Sequence, residues 1–251
     1  MTAGRLLLWR HGRTAANAGG RMQGQIDIPL DEVGYWQAHT AAAALLARYQ
    51  PTAIVSSNLS RARATADCLA RVTGLTVATD ERLRERCFGE WEGMTRTAID
   101  ERWPGAYEAW RLGGEPSGAG TETREEVAGR VLAAVTSHAA AYGAADTLVI
   151  TSHGAAISLA IGALLGQPAS WRGVMVIRNA HWAELLPARN DDAPAWRLQG
   201  LNLGPTDASR DWNAGPDTDP DGGTGTGTGS DAGSGTARNE GADRPGHRPS
   251  D

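Results

Sequence analysis

Apolar and polar positions along this chain alternate between short apolar runs and longer amphipathic stretches. Leu6-Leu7-Leu8-Trp9 is uninterrupted by polar residues, as expected of a strand buried on both faces. A loop with Asn17, Gly19, Gly20 and Gly24 follows, and Leu30-Asp31-Glu32 then opens a helix to about Tyr49, which Pro51 ends. Thr52 to Ser56 predicts a strand, Asn58 or Ser60 caps a helix to about Thr73, and Leu75 to Ala78 predicts a third strand. Residues 81–122 lose periodicity and are rich in Gly, Pro and Trp. They predict an excursion over one end of the sheet, with short helices near 95–102 and 107–112. Thr123 starts a helix to about Tyr142, Thr147 to Thr151 is a strong apolar strand, and 154–166 is helical. Val174 to Ile177, Trp182 to Leu186 and Trp196 to Leu198 predict strands that can pair antiparallel. This alternation predicts an α/β fold: a three-layer αβα sandwich around a mostly parallel central sheet.

Composition divides the chain. From Pro205 onward the sequence runs through Gly-Thr-Gly-Thr-Gly-Thr-Gly-Ser and offers almost nothing apolar except Trp212. Residues 1–204 are therefore expected to fold as one domain and 205–251 to form a disordered acidic tail. The tail holds nine acids and four arginines, against 29 acids and 24 bases in the whole chain, so the body is electrically neutral. A neutral body argues against nucleic-acid or anionic-membrane partners. Every base is arginine; the absence of lysine removes P-loop and Schiff-base chemistry. Cys68 and Cys87 give neither a disulfide framework nor a zinc pattern, no signal peptide is expected within Met1–Arg13, and no run reaches a membrane span. The cytoplasm is the expected compartment. The six histidines include no His-x-x-x-His pair, and no acidic cluster has ligand spacing, so neither metal nor cofactor is expected.

The first apolar run ends in Arg10-His11-Gly12, and the run before Ser152-His153-Gly154 repeats the theme. Ligands of open α/β sheets bind beyond the carboxyl ends of the strands, where these residues would stand together with Arg61 from a third strand-to-helix junction. Two guanidiniums suit the equatorial oxygens of a phosphomonoester, and a neutral imidazole is a competent nucleophile toward phosphorus.

Four motifs occur in order: Arg10-His11-Gly12-x-Thr14-x-x-Asn17, Ser57-x-Leu59-x-Arg61-Ala62-x-x-Thr65-Ala66, Glu85-x-x-x-Gly89-x-Trp91-Glu92-Gly93, and Ser152-His153-Gly154. Together they resemble the histidine phosphatase family, the phosphoglycerate-mutase-like superfamily, over residues 5–203. The resemblance implies that His11 becomes a phosphohistidine while Arg10, Arg61 and His153 hold the transferring group and Asn17 adds a hydrogen bond. It further implies that Glu85 protonates the leaving group and then activates water. Glu92, in the Trp-Glu-Gly turn, is the competing carboxylate. The expected partner is a small phosphorylated metabolite, and a homodimer would be common among such enzymes.

The main fork is hydrolysis against phosphoryl transfer by a phosphoglycerate mutase. Phe88 stands where mutases have tyrosine, Trp91-Glu92-Gly93-Met94-Thr95-Arg96 replaces their lysine-bearing continuation, and their arginine-bearing insertion is absent, which favours hydrolysis. A narrower resemblance, carried by Arg21–Asp27, Asn179-Ala180-His181-Trp182 and Trp196-Arg197-Leu198, is to actinobacterial glucosyl-3-phosphoglycerate phosphatases. It implies that Gln23 lines the pocket. Other sugar phosphates, α-ribazole phosphate, a phosphoprotein substrate and a catalytically silent phosphate-binding module stay open. His181 is either a substrate contact or a packing residue.

Overall fold

The computed structural model describes residues 2–115, 120–188, 194–205 and 212–215. A six-stranded sheet runs in the order β3-β2-β4-β1-β5-β6, from β1 (Arg5–Arg10), β2 (Ala53–Ser56), β3 (Val77–Thr79), β4 (Thr147–Ser152), β5 (Trp182–Pro187) and β6 (Trp196–Leu203). The first four strands are parallel and the last two are antiparallel additions at one edge.

Alternation within β1 explains the layering. Leu6 and Leu8 face a core shared with α6 (Arg124–Ala139) and α7 (Gly154–Leu164), whereas Leu7 and Trp9 face α2 (Glu32–Arg48) and α3 (Ser60–Thr73). Both faces of the central strands are dry, so their sequences read as continuous apolar runs. The α/β sandwich expected from the alternation is the architecture found.

Residues 81–115 form the excursion over one end of the sheet, with short helices α4 (Arg96–Arg102) and α5 (Ala106–Arg111). This cover has its own core, in which Phe88, Trp91 and Ile99 pack against Met22, Trp103, Tyr107 and Trp110.

Three details correct the sequence reading. Val174–Ile177 is not a strand: Met175 and Val176 are exposed, only Ile177 is buried, and its carbonyl accepts from Arg10 Nη1 at 2.7 Å. Neither Asn58 nor Ser60 caps α3. Asp27, reaching in from the first loop, accepts from both the backbone N and the Oγ of Ser60 at 2.7 Å. Finally, the domain does not stop at residue 204. Trp212 is 4 % exposed and its indole N–H donates to the Asn179 carbonyl at 2.8 Å, so a large apolar side chain draws the chain back onto the body. The rest of the expected tail, 206–211 and 216–251, lies outside the described residues.

Candidate active site

Strand register assembles the site. Arg10 pairs with Ser152, so His11 and His153 each stand one residue beyond neighbouring strand ends. Their rings lie 5.1 Å apart, tilted by 56°. The β2–β4 register brings up Ser57 on the other side of His153, and its Oγ lies 2.9 Å from His153 Nε2. Gly12 lets the chain leave β1: a Cβ there would sit 2.3 Å from the carbonyl oxygen of Gly34. Its backbone N–H donates to Thr65 Oγ1 on α3 at 3.1 Å.

The tautomer of His11 follows from its partner. Nδ1 lies 2.7 Å from the Gly12 carbonyl, which can only accept, so Nδ1 carries the proton and Nε2 keeps a lone pair. Burial, reinforced by Arg61 and Arg10, holds His11 well below the ordinary imidazole value. Burial, together with Arg61, His11, Arg10 and Arg130, does the same for His153. Both rings are therefore neutral at neutral pH.

The two guanidiniums are fixed by carbonyls rather than by carboxylates. Arg10 donates to Ile177 O, and Arg61 donates to Ile26 O and Gly24 O, both at 2.8 Å. Burial lowers Arg10 and brings Arg61 down to about 10, which leaves both charged. Arg10 Nε, Arg61 Nε and His153 Nδ1 are all buried without a hydrogen-bond partner among the described residues. Burying a polar group unpaired costs about 1–3 kcal/mol. Three such nitrogens on three neighbouring side chains mark a place made for an oxyanion.

Glu85 sits at the edge of this cradle, on the first turn of α7. Its carboxyl accepts from the backbone N–H groups of Ala155 (3.1 Å), Ala156 (2.9 Å) and Arg86 (2.9 Å). Glu92 acts as a brace instead. Its Oε1 accepts from Gln25 N and Phe88 N at 2.9 Å, tying the first loop to the cover. Asn17 completes a capping box with Thr14 on the short helix α1 (Ala15–Ala18). Asn17 Oδ1 also takes an N–H from Asn179 at 3.2 Å, which leaves the amide NH₂ end for an anion. Gln23 is buried with Oε1 accepting from Thr14 Oγ1 at 2.9 Å, so its NH₂ end is likewise open.

Sequence reasoning assigned no role to Ser57 or Asn179. Asn179 Nδ2 reaches the carbonyls of His11 and Gly12 at 3.1 and 3.3 Å, and a buried amide beside Ala180, at φ +58°, braces the nucleophile loop. The signal available was a lone Asn between Arg178 and Ala180, which is weak. His181 is a packing residue: Nδ1 lies 3.1 Å from Asn179 O, and the ring meets Trp212 edge-on at 5.5 Å. Trp91 is fully enclosed in the cover. Among the described residues, no group of His, Cys, Asp or Glu is placed to hold a metal ion. No helix among them is long and apolar enough to cross a membrane.

Beside Glu85 opens a cavity of about 570 Å³, lined by Phe88, Tyr107, Trp110 and Trp171 and by four arginines. The model of the histidine phosphatase superfamily (branch 1) matches residues 6–202. The chain belongs to the histidine phosphatase superfamily. Members of this superfamily hydrolyse phosphomonoesters through a phosphohistidine. A glucosyl-3-phosphoglycerate phosphatase of Mycobacterium tuberculosis is 41% identical over 214 residues, covering 80% of this chain and 96% of that protein. A probable phosphoglycerate mutase of Yersinia pestis is 37% identical over 180 residues, covering 68% and 80%. The structure of a mycobacterial glucosyl-3-phosphoglycerate phosphatase in complex with VO3 superposes with a TM-score of 0.72 at 39% identity, covering 80% of this chain and 99% of that one. The cavity is lined by Arg86 and Ala155, the sequence neighbour and a hydrogen-bond partner of Glu85, and not by Arg10, His11, Arg61 or His153.

Proposed function

We propose that this chain is a metal-independent phosphatase for glucosyl-3-phosphoglycerate, working through a phosphohistidine at His11. The observation that carries the reading is that Arg10, Arg61 and His153, each with a buried nitrogen lacking a partner among the described residues, lie close to His11, whose Nε2 keeps a lone pair.

Nε2 attacks phosphorus in line, the ester P–O bond breaks, and the leaving alkoxide takes a proton from the Glu85 carboxyl. Glu85 then removes a proton from water. The resulting hydroxide attacks phosphorus, the P–N bond breaks, and orthophosphate leaves His11 neutral again. Through both steps the charge on the equatorial oxygens is met by Arg10, Arg61, His153 and the amides of Asn17 and Gln23, held in place before the substrate arrives. Preorganisation of this kind supplies most of the rate enhancement in phosphoryl transfer. The substrate is a small cytoplasmic metabolite, and the identity to glucosyl-3-phosphoglycerate phosphatases supports the choice among them.

The test is steady-state hydrolysis, in chelator, of p-nitrophenyl phosphate and a panel of phosphorylated metabolites. Glucosyl-3-phosphoglycerate should give the highest kcat/KM, at least about tenfold above sugar phosphates. Faster phosphoryl transfer between glycerate positions than hydrolysis would make it a mutase. Phosphate binding without turnover would make it a binding module.

A further inference from the structure

The arginines of the cavity are not those of the phosphate cradle. Arg86, Arg111, Arg124 and Arg172 line it, and among the described residues no carboxylate does, although the body of the chain is neutral. A concave wall bearing one sign of charge draws in the opposite one. Phe88, Tyr107 and Trp110 offer flat apolar faces in the same space.

Two of the four arginines are deep. Arg86 is 2 % exposed, with Nε donating to Glu122 O at 2.7 Å and its guanidinium 5.6 Å over the Phe88 ring. Arg124 Nε is buried without a hydrogen-bond partner among the described residues, the same signature that marks the cradle. Glu122 does not serve them as a counter-ion, because its carboxylate is engaged by Arg130 at 2.6 and 2.7 Å. One side chain answers both. Glu115 places Oε2 on Arg86 Nη2 and Oε1 3.2 Å from Arg124 Nε, within ion-pair range but without hydrogen-bond geometry. Two guanidiniums thus share a single half-exposed carboxylate that satisfies one of them poorly.

We propose that Arg86 and Arg124 form a carboxylate subsite for the leaving group, occupied in the substrate-free protein by the chain's own Glu115, which the substrate's carboxylate replaces. Each oxygen of Glu115 already faces a different guanidinium, so the spacing of the pair suits a carboxylate. Arg86 adjoins Glu85 in sequence and Ala155 lines the same cavity, so the subsite lies on the side from which the leaving group is protonated. The inference rests on the phosphatase reading and names what the enzyme recognises beyond the phosphate. Substrates are phosphomonoesters of hydroxy acids, and compounds of equal size without the acid are discriminated against.

The experiment compares 3-phosphoglycerate with glycerol 3-phosphate, which lacks the carboxylate. In Arg124→Gln the ratio of their kcat/KM values should fall about 10- to 100-fold, the loss of one charge-assisted hydrogen bond, chiefly through KM. In Glu115→Gln the KM for 3-phosphoglycerate should fall several-fold while that for glycerol 3-phosphate stays put, since the competing internal carboxylate is gone. An unchanged ratio in folded Arg124→Gln, or a Glu115→Gln that weakens both substrates alike, overturns the subsite. If the wild-type protein hydrolyses neither, the phosphatase reading fails by itself. The subsite is then read by calorimetric binding of the same two compounds, where equal affinities overturn it.

Discussion

The sheet edge that carries Arg10, His11, Ser57 and His153 is positioned by strand register, whereas the cover over residues 81–115 hangs on a small cluster of aromatic side chains. In the first region each side chain is locked by a backbone carbonyl or a neighbouring strand. In the second, arginines and aromatics meet across a cavity and share too few acids. The difference teaches a division of labour. Under the function proposed above, the sheet edge fixes what reaction is done, because phosphoryl transfer tolerates little misplacement, and the cover fixes on what, because recognition needs room.

Breaking the edge should have the largest effect. His11→Asn should lower kcat by at least about 10⁴-fold on every substrate while the far-ultraviolet spectrum stays native; retained turnover would place the nucleophile elsewhere. Next comes Glu85→Gln, which should slow glycerol 3-phosphate by about 100-fold or more and 2,4-dinitrophenyl phosphate only a few-fold. Equal slowing would move Glu85 from proton transfer to positioning.

Loosening the cover should separate the two regions. Ile99 is fully buried in the satellite core, and Ile99→Ala should cost about 2–4 kcal/mol in denaturant titration. KM for 3-phosphoglycerate should suffer more than kcat for p-nitrophenyl phosphate, and the reverse pattern would deny the division. Smaller still is the C-terminal strap. Ending the chain after Asp217 should leave the Tm where it is. Ending it after Gly204 removes Trp212 and the bond from Gln37 Nε2 to its carbonyl (2.7 Å), at a cost of about 2 kcal/mol. Equal melting of the two truncations would sink that claim.

The mildest test is acid. Both His11 and His153 are depressed below their unfolded value of about 6.5, so the unfolded chain takes up protons first as pH falls. Their contribution to stability is complete above about pH 6.5 and is lost as pH drops toward the folded-state values. The Tm of the wild type should therefore fall below pH 6.5 more steeply than that of His153→Asn.

Much of this could be read from the sequence because parallel strands buried on both faces announce themselves. Leu6–Trp9 and Thr147–Thr151 are continuous apolar runs, and a reactive residue just past such a run has one place to go. Val174–Ile177 misled because β-branched composition describes a half-buried surface, not a hydrogen-bonded partner, and this segment instead gives a carbonyl to Arg10. Trp212 stood out in the sequence as the tail's apolar exception, but composition averages away one anchoring side chain. The Glu115 bridge was illegible for a related reason. It joins Arg86 to Arg124 across 29 and 9 residues of aperiodic chain, where no period links partner to partner.

The central claim is that His11 is the atom-bearing end of the reaction. Rapid acid-free quenching of the enzyme with ³²P-labelled substrate, followed by peptide mapping, tests it most directly. An acid-labile, base-stable label on the peptide containing His11, absent from His11→Asn, is the predicted result. Steady turnover with no label trapped, or a label on any other residue, would contradict it.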